Sequence, residues 1–264
     1  MIVSCIQICS GKNIKKNLDS SKKLILQAIK QKSDFIITPE TSSLFGLSKK
    51  ELFLKATSMK KDSYLDEIKK IARHHKKWIL IGSVIVKENN KIKNRSVLIN
   101  SRGLIQTYYD KIHMYNAVLK KGEKYSESKT FTPGKLIKTS NLPWGKLGFS
   151  ICYDVRFPSM FRKLSKQGSL FIAVPSAFTK TTGLKHWHIL LKARAIENFC
   201  YIFAPAQGGT HYNGRKTFGH SLILSPDGKI IKEQNNKKEG VITALIDPQL
   251  PKKLRVIIPS LKSD

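Results

Sequence analysis

Apolar residues recur along this chain in two rhythms. Residues 2–8 (IVSCIQI) read as a strand, and behind it Ile14, Leu18, Ile25, Ala28 and Ile29 fall on one face of a helix. The short apolar run DFIIT leads into Pro39 and Glu40. A second helix then places Leu65, Ile68 and Ala72 on one side, and WILIGSVIV at 78–86 reads as a buried strand. Runs at 96–100 and 104–109, parted by Ser-Arg-Gly, form a hairpin. The polar stretch 111–133 exceeds an ordinary connection, and long ordered loops are often functional. GKLGFSI is a strand running into Cys152, followed by a helix with Pro158 at its first position, where its fixed φ and missing N–H are tolerated. LFIAV, a helix over 186–198 and CYIFAPA come next. GHSLILS, KIIKE and GVITALI close the chain as an antiparallel set around a Pro-Asp-Gly turn. With no internal repeat and no dividing linker, this alternation predicts one α/β domain of layered helices and sheet.

Composition narrows the classes without naming one. At 264 residues and 41% hydrophobic, the chain can bury a sizeable core, which excludes a disordered tail or a coiled coil. The unusual quantity is a formal charge of +30. Its 40 lysines are scattered singly or in pairs, such as Lys15-Lys16 and Lys120-Lys121, with no basic run of five, and there are only 8 arginines. Arginine is the preferred bidentate phosphate and guanine contact, so the pattern favours a solvated lysine-rich surface over a specific nucleic-acid footprint. A basic polyanion-binding protein is the non-enzyme alternative; it leaves the candidate chemistry below idle. Four dispersed cysteines make no disulfide framework and point to a reducing, cytoplasmic setting. No signal peptide is legible at the N-terminus, and no apolar run is long enough to cross a bilayer, so no membrane partner is expected.

Candidate chemistry gathers where strands end. Cys152 closes a buried strand just before a helix, whose N-terminus would stabilise a thiolate and, later, an oxyanion. Cys5, Cys9 and Cys200 lie inside strand patterns and read as small buried hydrophobes. Glu40 at the end of DFIITP is a capping or surface residue, or else a general base whose pKa burial would raise. Lys111, following LIQTYYD, is by itself one lysine among 40. The histidines make no metal-ligand set by spacing: His74-His75 is a helix-face pair, and His186 with His188 has no Cys or Asp nearby. A Cys-His arrangement of Cys152 with His113, His186 or His220 is the mechanistic rival, and it leaves Glu40 and Lys111 unexplained.

Three motifs change the weights. Pro-Glu at 39–40, YDKIHMY at 109–115 and SICYDVRFP at 150–158 occur in the order and spacing of the nitrilase superfamily, the Glu-Lys-Cys carbon–nitrogen hydrolases, which the chain resembles from MIVSCIQI to about GVITALID. The resemblance implies a single-domain four-layer αββα sandwich over residues 1–248 with a C-terminal tail at 249–264. It also implies subunits paired as a homodimer or higher homo-oligomer across helices near the active site. Carried over residue by residue, it makes Cys152 the nucleophile, Glu40 the general base and Lys111 the cation stabilising the tetrahedral intermediate. Glu127 is a further glutamate beside the lysine, and Tyr153 supplies an oxyanion N–H. The implied reaction passes through a thioester, releases ammonia and uses no metal or organic cofactor.

The C-terminal half, PSAFTKTTGLKHWHILLKARAIENFCYIFAPAQGG and HYNGRKTFGHS, resembles the Nit branch and, within it, the deaminated glutathione amidases. That implies a small acidic α-keto amide as substrate. The alternatives are an omega-amidase acting on α-ketoglutaramate, or another C–N hydrolase such as a carbamoylase or aliphatic amidase. Arg156 is the candidate grip for a substrate carboxylate, or else a structural salt bridge. Phe178, His186 and Trp187 either line the pocket or, as aromatics at helical spacing more often do, pack in the core. Two positions depart from the family pattern. Asn116 stands where many relatives carry aspartate and bears on acyl preference, and SPDG replaces Pro-Trp-Gly in a hairpin.

Overall fold

In the computed structural model, which describes residues 1–119 and 123–262, the chain builds two six-stranded sheets, the first from the N-terminal half plus one strand of the C-terminal end and the second from the C-terminal half. The lysine pair at 120 and 121 and the end of the tail lie outside the described residues. The chain opens with β1 (Ile2–Gln7), α1 (Ile14–Lys30) and β2 (Phe35–Ile37). Helices α2 (Lys49–Lys55) and α3 (Ser63–His75) precede an antiparallel run of β3 (Trp78–Glu88), β4 (Lys91–Ile99) and β5 (Ile105–Asp110). A small pair follows, β6 (Asn116–Val118) with β7 (Lys124–Ser126). The second half runs through β8 (Thr139–Leu142), β9 (Gly145–Phe149), α4 (Pro158–Lys166), β10 (Ser169–Ala173), α5 (Lys180–Asn198) and β11 (Tyr201–Ala204). It ends with β12 (Gly208–Thr210), β13 (Lys216–Phe218), β14 (Leu222–Leu224), β15 (Ile230–Glu233), β16 (Gly240–Leu245) and α6 (Leu250–Ile257).

The first sheet has the order β16-β1-β2-β3-β4-β5 and the second β15-β14-β11-β10-β9-β8. Each holds three parallel strands at its centre, β1-β2-β3 and β9-β10-β11, with antiparallel strands outside them. Alternation of side chains along each strand divides the first sheet between two cores. Ile6, Ile36, Ile79 and Ile81 meet Leu24, Ile25, Leu65 and Ile68 of α1 and α3. Val3, Cys5, Phe35, Ile37 and Leu80 point the other way, into the second sheet. There Phe35 meets Phe203 edge-on with ring centroids 6.3 Å apart, and Phe203 stacks on Phe171. Helices α4 and α5 cover the far face of the second sheet through Phe161, Leu164, Leu191 and Ala195. The layers are therefore helix, sheet, sheet, helix, as the resemblance implies.

Two departures from the expected elements have local causes. α5 starts at Lys180 rather than near residue 186, capped by Thr179, whose side chain accepts from Thr182 N. Gly183 lowers the helix signal in its first turn, but its missing side chain is what lets Phe218 approach: a Cβ there would come within 2.4 Å of Phe218. α2 has only Leu52 fully buried, so its sequence carries little periodicity. At the end of the chain, α6 is tied back by Arg255, whose guanidinium reaches Ser165 Oγ and the Ser169 and Asn198 carbonyls. Among the described residues no helix is long and apolar enough to cross a membrane.

Candidate active site

Three strand ends converge between the sheets. Glu40 follows β2, Lys111 follows β5, and Cys152 follows β9 as the first residue of a 3-10 turn, Cys152–Arg156. Cys152 and Thr41 both have positive φ, +50° and +53°, a conformation costing non-glycine residues on the order of 1 kcal/mol. Gly82 makes room for this convergence. A Cβ on it would stand 2.0 Å from Thr38 O and 2.5 Å from both Pro39 O and Pro175 Cβ, so a side chain would push the Glu40 segment and the 175–177 segment apart. Asp154, fully buried, joins the other two ends. It accepts from Tyr109 Oη (2.7 Å), His113 N (3.0 Å) and Ile151 N (2.8 Å), and pairs with His113 Nδ1 (2.7 Å), tying the segment after β5 to the turn bearing Cys152.

The predicted site residues meet. Lys111 Nζ donates to Glu40 Oε1 at 2.9 Å and to Glu127 Oε1 and Oε2 at 2.8 and 2.7 Å. Lys111 is 2% exposed and Glu40 4%. Glu40 also accepts from Asn94 Nδ2 at 3.0 Å and, on its other oxygen, from Ala177 N at 2.9 Å, and it shares a hydrogen bond with the Cys152 thiol. Glu127 accepts from Tyr115 N at 2.7 Å. Asn116 Oδ1 accepts from Ser128 N, so this residue steadies the turn next to Glu127.

Electrostatics set the resting protonation. Burial pushes the Glu40 carboxyl up, as expected from the sequence, but the Lys111 ammonium, with the Cys152 hydrogen bond and Arg215, outweighs it and the group lies below its ordinary value. Burial disfavours the Lys111 charge, yet Glu127 and Glu40 hold the ammonium well above the usual lysine range. The Cys152 thiol is driven up by burial and by Glu40, and Lys111 only partly opposes this. The expectation that a helix N-terminus stabilises a resting thiolate is thereby corrected. Cys152 opens a 3-10 turn, the α-helix begins at Pro158, and burial together with Glu40 favours the Cys152 thiol form beside the carboxylate.

The site opens into a cavity of about 710 Å³, within the range of small-molecule sites. Tyr153 lines it, and as the second residue of the 3-10 turn its N–H belongs to the leading groups that have no partner inside the turn. Arg156 lines it too; its guanidinium bonds His186 Nδ1 at 3.1 Å and lies 5.6 Å over the Phe178 ring. Among the described residues its partner is thus an imidazole and not a carboxylate, against the salt-bridge alternative. Residues not singled out from sequence also contribute. Arg215 enters the cavity between Phe45 and Tyr125 and donates to Ala177 O. Phe178, which the sequence leaves between pocket and core, lines the wall. Trp187 is core. Cys5 and Cys200 are buried as expected, but Cys9 is half-buried, its sulfur 3.7 Å from His211 Nδ1. The rival Cys-His pairing finds no support: His113 is held by Asp154, His186 by Arg156 and His220 by Glu233.

The buried Glu-Lys-Cys cluster at the ends of paired sheets is the arrangement of a carbon–nitrogen hydrolase, and residues 2–255 match the carbon–nitrogen hydrolase family model. The chain belongs to that family and is an enzyme that hydrolyses carbon–nitrogen bonds. It is 38% identical to a deaminated glutathione amidase of Yersinia enterocolitica over 98% of this chain and 91% of that one. Among solved structures it is similar to the Caenorhabditis elegans NitFhit protein, with TM-score 0.93 and 32% identity over the whole of this chain and 64% of that longer one. It is likewise similar to Saccharomyces cerevisiae Nit3, a nitrilase-superfamily member, with TM-score 0.87 and 26% identity over 98% and 94%.

Proposed function

We propose that this enzyme is an amidase of small acidic α-keto amides, deaminated glutathione foremost, acting through a Cys152 thioester. The observation that carries the reading is the sealed contact of Glu40 with Lys111 and Cys152 at the floor of a cavity that also holds Arg156 and Arg215. Glu40 takes the thiol proton as the sulfur attacks the amide carbonyl carbon. One Lys111 N–H goes to Glu40; if Glu127 shares a second, the third is left for the oxyanion, joined there by the Tyr153 N–H. Protonated Glu40 returns its proton to the departing amine, then deprotonates the water that cleaves the thioester. With Cys152 stored as a thiol, proton transfer and attack are coupled, so no reactive thiolate is exposed between turnovers.

The leaving amine depends on the substrate. Primary amides such as α-ketoglutaramate release ammonia. Deaminated glutathione joins its keto-diacid to cysteinylglycine, so that dipeptide leaves instead, and the ammonia expected from the sequence applies only to the primary amides. Formation of 2-oxoglutarate is therefore the common readout for these two substrates, and ammonia that for a neutral primary amide. On a panel of deaminated glutathione, α-ketoglutaramate and a neutral amide, the first should have the highest kcat/KM. Arg156→Ala should raise KM for the acidic substrates by about 10–100-fold, the worth of one charge-assisted hydrogen bond, while leaving the neutral amide unchanged. Preference for α-ketoglutaramate would replace this reading with an omega-amidase, and equal use of the neutral amide would remove acid recognition altogether.

Four free cysteines accord with a reducing compartment, and we place the enzyme in the cytoplasm. We also place a second copy of this chain against α5, where Leu184 and Ile189 are exposed on the helix whose Thr182 lines the cavity. Sedimentation equilibrium should give a mass of two chains or more; a mass of 29.9 kDa would remove that assignment.

A further inference from the structure

Outside the catalytic cluster, three metal-ligating side chains from separate parts of the second half converge. His188 lies on α5, His220 just before β14, and Glu233 at the end of β15. His188 Nε2 and His220 Nδ1 stand 3.0 and 2.7 Å from the same carboxylate oxygen, Glu233 Oε1. The three ligand atoms lie within 4.8 Å of one another. Spacing along the chain concealed the set, because its members are brought together only by α5 crossing the β14–β15 hairpin.

We infer that His188, His220 and Glu233 form a binding site for a divalent first-row transition metal, with zinc(II) the type it suits. Two imidazoles and one carboxylate are a nitrogen-rich donor set that favours zinc, cobalt or nickel over magnesium or calcium, which require oxygen ligands. The side chains are about a quarter to a third exposed, so an ion can enter and water can complete its coordination. The geometry is held in advance. The His220 ring stacks on Phe218 at 4.3 Å and His188 meets Phe218 edge-on. Trp187 Nε1 donates to His220 O at 2.8 Å, fixing a backbone with φ +55°. The present N···O separations are only a few tenths of an ångström below the roughly 3.3 Å edge of a tetrahedron with bonds of about 2.0 Å. Metal entry thus needs a small parting of each imidazole from Glu233 and a tautomer exchange that moves the ring hydrogens to His188 Nδ1 and His220 Nε2. The bound ion would clamp α5 to the hairpin while standing apart from Cys152.

The test is titration of the chelator-stripped full chain with Zn²⁺ and Co²⁺, read by equilibrium dialysis and by the visible absorption of cobalt. One ion should bind per chain with the spectrum of four- or five-coordinate Co²⁺, and Mg²⁺ or Ca²⁺ should not compete. His188→Gln keeps an N–H that can reach Glu233, and His220→Asn tolerates positive φ. Either should weaken binding by about a hundredfold, since even groups supporting a ligand are worth about 10–100-fold. Circular dichroism confirms the fold of each variant, and one folded variant suffices. The same titration of Cys152→Ala separates this site from the cavity thiol and should leave the binding intact. Failure to bind either ion below millimolar concentration, or binding that both histidine variants leave unchanged, overturns the assignment.

Discussion

Cys152→Ala should lower amide hydrolysis by about four to six orders of magnitude, the scale on which a covalent enzyme loses rate when its nucleophile is removed. The fold should survive. The substitution takes away one sulfur atom, the Cβ that already tolerates φ +50° stays, and the Cys152 N–H to Pro175 O bond of 2.9 Å is made by the backbone. Removing the thiol also removes its hydrogen bond to Glu40, whose other partners, Lys111, Asn94 and Ala177 N, remain. Unfolding curves matching the wild type together with lost turnover are the expected pair of results. Turnover within tenfold of wild type would assign the nucleophile elsewhere.

Lys111→Met should damage both catalysis and folding. Loss of an oxyanion donor costs about 10²–10³-fold in kcat. The substitution also leaves Glu40, 4% exposed, without the counter-charge that holds its carboxyl below the ordinary range. Breaking one side of a buried pair costs about 3–5 kcal/mol, a fall in Tm on the order of 10 °C for a chain of this size. The sign with pH reverses. In the wild type Glu40 has a depressed folded pKa, so its contribution is present above the unfolded value near 4.5 and is lost as pH falls through the folded one. In Lys111→Met, burial is opposed only by the hydrogen bonds from Cys152, Asn94 and Ala177 N and by Arg215, and as the largest single influence it raises the folded pKa, so stability declines as pH rises above the unfolded value. Thermal unfolding at pH 5 and pH 8 should show the variant nearer to wild type at pH 5. Equal deficits at both would mean that Lys111 does not hold the Glu40 charge.

Much of this site was legible because its three principal side chains sit at the ends of apolar strands, and such ends are marked in the sequence by the switch from apolar to polar residues. Three short motifs in register then joined Glu40, Lys111 and Cys152 across long stretches of chain. The supporting groups left no comparable mark. Asn94 is one polar residue inside β4, and what brings it to Glu40 is the placing of β3 between β2 and β4. Ala177 contributes only a backbone N–H. Arg215 reaches the cavity from the turn between β12 and β13, and its role depends on Phe45 and Tyr125 closing on either side. The direction of the Glu40 shift was also beyond the sequence, because it is a balance between burial and an ammonium 2.9 Å away. β6 and β7 are three residues each and largely exposed, too short for a period of two to register.

Interception of the thioester by hydroxylamine during turnover tests the covalent route most directly. If Cys152 carries the acyl group, hydroxamate should replace the free acid in proportion to hydroxylamine concentration, while Cys152→Ala forms none. A product that stays entirely the acid at every hydroxylamine concentration, with amide consumption unchanged, would show that water attacks the substrate directly and would contradict the covalent mechanism.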